Sequence, residues 1–187
     1  MDDTVGRSLI SMMELDQRTL SQLAEKGEIG PHQPYHPTPR EIHEANATAL
    51  RKIINGMGWP GISQVGEDAA EAAWLIAQHA VFDTEFMSYC ADLMEDAVTN
   101  HNVEGWQLAF LRDRVCTMSG KEQIYGTQFD GDDDGWPIPF PIHDPDGVDE
   151  RRRKVGLNSL AERLSEMRDR EEVRRKTVER ADRRKDT

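Results

Sequence analysis

Asp16, Asn46, His79 and Asp113 each stand on an apolar helical stripe where the pattern asks for a hydrophobic residue. His79 carries the clearest chemistry of the four, because an imidazole can take or give a proton near neutral pH. Asp16 or Asp113 could orient it and stabilise its charged form. A buried carboxylate is costly without a partner, so each Asp needs a donor; Arg18, Arg112, Arg114 and Arg152 are the arginines expected to supply it. A second set of groups lies in Gln123-Ile-Tyr-Gly-Thr-Gln128. Gly126 permits a backbone turn closed to other residues, and Tyr125 offers a phenol and a flat ring. Gln123, Thr127 and Gln128 offer neutral donors and acceptors, suited to a neutral or zwitterionic small molecule or a peptide.

Together these residues predict one polar pocket between helices, closed by the 123–128 loop. In that expectation His79 is the general acid or base, oriented by Asp113 or Asp16. Arg114 and Arg18 hold a carboxylate or a developing negative charge, and Gln123, Tyr125, Thr127, Gln128 and Arg152 position the substrate. Hydrolysis, elimination and isomerisation all fit that set. The competing reading is scaffolding: buried Asp–Arg pairs, a satisfied core histidine, and glutamines that cap a helix. A non-catalytic module, binding a ligand or partner through the same pocket or through the charged C-terminal helix, is the functional alternative.

The elements that must position these groups read as helices. Residues 5–26 place Leu9, Met13, Asp16, Leu20 and Leu23 on one face. Residues 31–37, Pro-His-Gln-Pro-Tyr-His-Pro, form an extended linker. Thr38-Pro-Arg-Glu41 reads as a capping box that opens a second helix with a stripe of Ile42, Asn46, Ala49 and Ile53. A third helix follows Ser63 as N-cap, with Glu67 and Asp68 in its first turn and a stripe of Ala69, Ala72, Leu75/Ile76 and His79; its small residues would let another helix approach closely. Two more helices span about Asp83 to His101 and Val103 to Met118. Residues 119–147 read as a long loop, residues 148–155 as a short helix stopped by Gly156, and Ser159-Leu-Ala-Glu162 as a second capping box. Beyond about Met167 the apolar stripe disappears. The expectation is an all-α protein, five or six helices in antiparallel hairpins, with a helical domain over residues 1–168 and a charged, helical or disordered tail over 169–187.

Other chemistries find less support. No nucleophile elbow is present, and neither Cys90 nor Cys116 adjoins a histidine. His32, His36 and His43 cluster with Glu44, but across a proline-rich segment, and there is no H-E-x-x-H. Asp130-Gly-Asp-Asp-Asp-Gly135 opens like a calcium loop, but Pro141 stands where the bidentate acid is required. No metal ligand set and no cofactor are therefore expected. Residues 149–187 hold 14 basic and 10 acidic residues, whereas residues 1–148 hold 9 and 25. An acidic body of that kind repels a phosphate backbone, so nucleic acid is not the expected partner. The alternating charges of the tail suit a solvated helix. No apolar run reaches membrane-spanning length, and Met1-Asp-Asp3 lacks the basic start of an export signal. A cytoplasmic protein with reduced thiols follows, with a small molecule or peptide as partner and no membrane association; a homo-oligomer is compatible with this reading.

Asp16-Gln17, Gly58-Trp-Pro60, Val65-Gly66, Ala77-Gln-His79, Leu111-x-Asp-Arg114, Gln123-x-Tyr-Gly-Thr-Gln128 and Val148-Asp-x-Arg-Arg152 with Val155-Gly-Leu157 form a set. In these motifs the chain resembles a family of bacterial proteins known only as a domain of unknown function, over roughly residues 8–168. The resemblance implies a small helical protein and carries no reaction with it. The Asp- and Pro-rich stretch from Asp130 to Asp144 departs from the family pattern.

Overall fold

The computed structural model describes the backbone of residues 3–30 and 33–185, and side chains from residue 4 as far as residue 178. Pro31 and His32 of the expected linker, the opening Met1-Asp2 and the last two residues of the tail lie outside the described residues. The chain divides into two compact units, Met1–Leu111 and Arg112–Thr187.

The first unit holds α1 (Asp3–Glu25), α2 (Pro37–Met57), a short α3 (Ile62–Val65), α4 (Glu67–His79), α5 (Thr84–Thr99) and the opening of α6 (Gly105–Met118). Its centre is α4. Ala69, Ala70, Ala72, Ala73, Ile76 and Ala77 are all buried, so the helix is covered on most faces and packs against α1, α2, α3 and α5. Short side chains make this possible, because helix axes come closest where the contact residues are smallest. At Gly6 of α1 an added Cβ would lie 3.1 Å from the Val65 carbonyl oxygen and 3.5 Å from the Ala69 Cβ. The expected α1 stripe is the buried one: Leu9, Asp16 and Leu23 are all inside.

The N-termini differ from the sequence reading in instructive ways. α2 begins at Pro37, with His36 as N-cap accepting from the Thr38 amide; Thr38 is already helical. Ser63 is inside α3, where its amide donates to Asn102 Oδ1 at 2.6 Å, so it does not cap α4. Asp83 caps α5 by accepting from the Phe86 amide at 2.9 Å. The buried face of α2 is Pro39, His43, Asn46, Ala47, Leu50 and Ile54; of the expected stripe Asn46 is buried, whereas Ile42, Ala49 and Ile53 each lie one position before a buried residue.

In the second unit the expected loop over residues 119–147 folds more than its composition suggests. β1 (Phe129–Gly131) pairs antiparallel with β2 (Pro137–Pro139), Phe129 opposite Pro139. The turn between them is closed by Asp132, whose Oδ1 accepts from the amides of Asp134 and Trp136. The acidic run is thus a hairpin turn with its central carboxylate engaged. α7 (Val148–Lys154) follows, then α8 (Leu160–Lys185). The Ser159–Glu162 capping box is present in both directions. α8 continues well past Met167 with almost no apolar stripe. Ion pairs one turn apart support it instead, Glu171 with Arg174 and Arg175 and Glu172 with Lys176. Arg175 also lies over the Trp136 ring at 4.3 Å and donates to the Asp134 carbonyl, which ties α8 to the hairpin. The residue-168 boundary expected from sequence therefore falls within a continuous helix. Among the described residues the architecture is all-α apart from one small hairpin, with eight α-helices where five or six were expected. Among the described residues no helix is long and apolar enough to cross a membrane.

The close approach at Gly6 makes a specific expectation. Gly6→Val should destabilise the chain by about 1–3 kcal/mol through overpacking against α4. Gly56→Ala, in open space within α2, should be neutral or stabilising by about 0.5–1 kcal/mol. Chemical denaturation of the two variants checks the pair.

Candidate active site

The polar cluster of the first unit is built on Asp16, which is 1% exposed on α1. Its two carboxylate oxygens meet two imidazoles from two other helices. His43 Nε2 of α2 lies 2.8 Å from Oδ1, and His79 Nδ1, at the last residue of α4, lies 2.5 Å from Oδ2. The two rings are 4.7 Å apart between centroids, tilted by 45°. Tyr35, in the segment before α2, hydrogen-bonds through its hydroxyl to His43 Nδ1.

Electrostatics orders this network. Burial alone would raise the Asp16 pKa, but hydrogen bonds and attraction from His43 and His79 outweigh it and hold the carboxyl at about 2. Burial first, and then the negative charge of Asp16, push the Tyr35 hydroxyl up to about 12. Tyr35 is therefore a neutral phenol. In the neutral form of His43 the proton on Nε2 is donated to Asp16, and Nδ1 accepts from the Tyr35 hydroxyl. His79 likewise donates from Nδ1 to Asp16. In the neutral form of His79 the other nitrogen, Nε2, carries the lone pair, on a side chain that is 18% exposed. Among the described residues Nε2 makes no hydrogen bond. Chemically this is a carboxylate-oriented imidazole with a free basic nitrogen, the arrangement that serves general acid–base catalysis.

An open cavity of about 420 Å³ lies on the Tyr35 side of the cluster. Leu20, Ala24, Ile29 and Pro39 line it together with Tyr35 and His36. None of the residues expected to line the polar pocket lines this cavity.

Asp113 performs a different task from the one expected of it. It is fully buried at the start of the second unit, and the amides of Ile124, Tyr125 and Thr127 and the Thr127 hydroxyl all donate to its two oxygens, at 2.7 to 3.2 Å. It therefore shapes the 123–128 loop and does not orient His79. The rest of the loop is similarly committed. Gln123 is buried and bridges the Gln128 backbone and the Phe140 carbonyl. Arg114 Nε donates to Gln128 Oε1, and Thr127 Oγ1 accepts from Gln128 Nε2. Arg152, 1% exposed, donates to the carbonyls of Tyr125, Gly126 and Asn158. Gly126 has φ 68°, and a Cβ there would lie 2.9 Å from Leu160 Cδ1. These contacts give Asp113, Arg114, Gln123, Thr127, Gln128 and Arg152 a structural task in holding the 123–128 loop.

The arginine partners are corrected. Asp16 pairs with histidines, Asp113 with amides, and Arg18 is exposed on α1. Asn46 is buried and donates weakly to the Met12 carbonyl at 3.4 Å. His79 and Asp16 come together as expected. His43 and Tyr35 complete the cluster, and both escaped the sequence reading as members of it. One signal was available for His43: it lies in register with Leu50 and Ile54 on the buried face of α2. Asp16, His43 and His79 also present three ligand-capable atoms within 4.8 Å of one another, a set that spacing along the chain did not indicate.

Two stability measurements follow. A carboxyl whose folded pKa is about 2 against an ordinary 3.8 contributes stability that is fully present above pH 4. That contribution disappears as pH falls through the folded value, and it amounts to about 2 kcal/mol. The gap between wild type and Asp16→Asn should therefore be largest above pH 4 and shrink towards about pH 2. Asp113→Asn turns an amide NH2 towards donors and should cost about 2–4 kcal/mol, read by denaturant unfolding, with the cost retained at neutral pH.

Searches of curated proteins and of solved structures returned no match. One family model matches residues 3–176, nearly the whole chain, and takes in both the Asp16 cluster and the Asp113-supported loop. The chain belongs to that family, described as a family of unknown function (DUF6624).

Proposed function

We propose that the protein is a small cytoplasmic enzyme that uses acid–base chemistry on a small molecule or peptide, with His79 as the proton-transfer group. The observation that carries this reading is the pairing of His79 Nδ1 with the buried Asp16 carboxylate, which leaves Nε2 free on a partly exposed side chain. Asp16 fixes the tautomer and stabilises the imidazolium formed when Nε2 takes a proton. His43 fills the second oxygen, and Tyr35 bonds to the far nitrogen of His43 and holds that ring in place. Hydrolysis, elimination and isomerisation each need a base of this kind and need no redox cofactor.

A second reading is a non-catalytic binding module, favoured by the apolar cavity beside Tyr35. A module would respond in ligand affinity to changes such as Leu20→Ala and would be indifferent to the basicity of His79.

Turnover on panels of esters, amides, lactones, β-elimination substrates and enolisable carbonyl compounds tests the enzyme. His79→Gln should lower any activity found by about 100-fold or more with the fold retained, and Asp16→Asn should lower it as well. A substrate-free form of the same test is carbethoxylation, mapped by mass spectrometry. His79 should be modified first, and more slowly in Asp16→Asn. Equal turnover in His79→Gln and wild type would remove the catalytic reading.

A further inference from the structure

We propose that Asp16, His43 and His79 form a binding site for one first-row divalent transition ion of the zinc class, and that occupancy of the site competes with proton transfer at His79. The binding part stands on geometry alone; the competition rests on the function proposed above.

The ligand set is chemically specific. Two imidazole nitrogens and one carboxylate oxygen suit zinc, iron, cobalt and nickel, whereas calcium and magnesium prefer all-oxygen surroundings. The three atoms come from α1, α2 and α4 and lie within 4.8 Å of one another. Ligand atoms about 2.0–2.2 Å from a common ion are roughly 3 to 4 Å apart. The contacts of 2.8 and 2.5 Å between Asp16 and the two rings therefore need to open only slightly, and any wider separation to close by less than about 1 Å. Asp16 and His43 are buried and His79 is half-buried, so most of the ligand shell is already desolvated and the exposed side is that of His79.

The surroundings supply what a ligating histidine needs at its other nitrogen. A metal-bound imidazole donates its remaining N–H to a fixed acceptor, which holds the ring and raises its basicity. For His43 that acceptor is Tyr35. In the hydrogen-bonded form Tyr35 donates to Nδ1; with an ion on Nε2 the proton moves to Nδ1 and Tyr35 accepts. For His79 the proton moves from Nδ1 to the solvent-facing Nε2. Both rings change tautomer and no net proton is released from the neutral pair. The consequence for function is direct. The Nε2 lone pair that takes a proton in the hydrogen-bonded form is replaced by an N–H, so an occupied centre has no free base at His79.

Calorimetric titration of the full chain with Zn²⁺ near neutral pH, after chelator treatment, tests the binding. One ion per chain should bind with micromolar or tighter affinity. Asp16→Asn, His43→Gln and His79→Ala should each weaken binding by about 10–100-fold or more, and Tyr35→Phe by less. His79→Ala is the variant best placed to keep its fold, since His79 ends its helix and is partly exposed. Imidazole ¹⁵N spectra of the wild-type chain give a readout independent of variant folding: stoichiometric Zn²⁺ should move the His79 proton from Nδ1 to Nε2. Binding that is unchanged in both Asp16→Asn and His79→Ala would assign the ion to exposed carboxylates and overturn the site. Unaltered ¹⁵N shifts would do the same. Zn²⁺ that binds at the cluster should inhibit any turnover found, and a chelator should restore it; tight binding with turnover unchanged would overturn the competition. Calorimetry needs no substrate, so a failure of the acid–base reading, seen as activity in His79→Gln, leaves the binding result standing on its own.

Discussion

A single buried carboxylate, Asp16, sets the terms for the first unit. Held at 1% exposure on α1, it is tolerable only because each oxygen has a donor, and both donors are imidazoles from other helices. The pairing therefore does two things at once. It closes α1, α2 and α4 around a common polar point, and it fixes two rings in defined tautomers. A carboxylate neutralised by arginine would have given the first result without the second, because a guanidinium stays charged and has no acceptor nitrogen to offer.

The packing around α4 makes this placement possible. A helix with alanine at 69, 70, 72, 73 and 77 brings its neighbours close on several sides, and His79 closes the same helix at its C-terminal end. A cation is favoured there by the helix dipole, so the position that frees Nε2 also suits the protonated ring. Tyr35 reaches the cluster from an irregular segment and separates it from the apolar cavity, giving the polar chain a neutral end. The second unit uses the same raw material in the opposite way. Asp113 is as buried as Asp16, yet its donors are backbone amides and a hydroxyl that do not titrate in the working range. Such a carboxylate specifies a loop.

That contrast explains what was legible in the chain. Polar residues on apolar stripes located both carboxylates and His79, because burial of a charged group leaves a visible break in helical periodicity. Their partners were less accessible. The amides that satisfy Asp113 belong to the loop backbone and carry no side-chain signature, so arginines were the natural candidates and the wrong ones. His43 was hidden by a one-residue shift in the α2 stripe. Ile42, Ala49 and Ile53 compete for the core face, but Leu50, Ile54 and Ala47 win it, and His43 turns inward with them. Tyr35 could not be found by periodicity at all, since an irregular segment places its side chains by tertiary contact. The helices themselves were readable, including the Ser159 capping box, and the hairpin at 129–139 was not, because strands of three residues bounded by Pro and Gly give too short an alternation to register.

The tyrosine also decides how the cluster can respond to a change at one end. With its hydroxyl neutral, Tyr35 can be donor or acceptor without a change of charge. The chain Tyr35–His43–Asp16–His79 can therefore take two forms, one with Nε2–H of His43 on the carboxylate and, once a cation lies between Nε2 and the carboxylate, one with Nδ1–H on the phenol. A buried network in which this bond can reverse accommodates a cation arriving at Asp16 without leaving either nitrogen of His43 unpaired. Phenylalanine at position 35 would remove that freedom by stranding His43 Nδ1, although every contact to Asp16 would remain. The position is thus set by the reversibility of one hydrogen bond, and its chemistry belongs to the cluster even though the residue touches neither carboxylate oxygen.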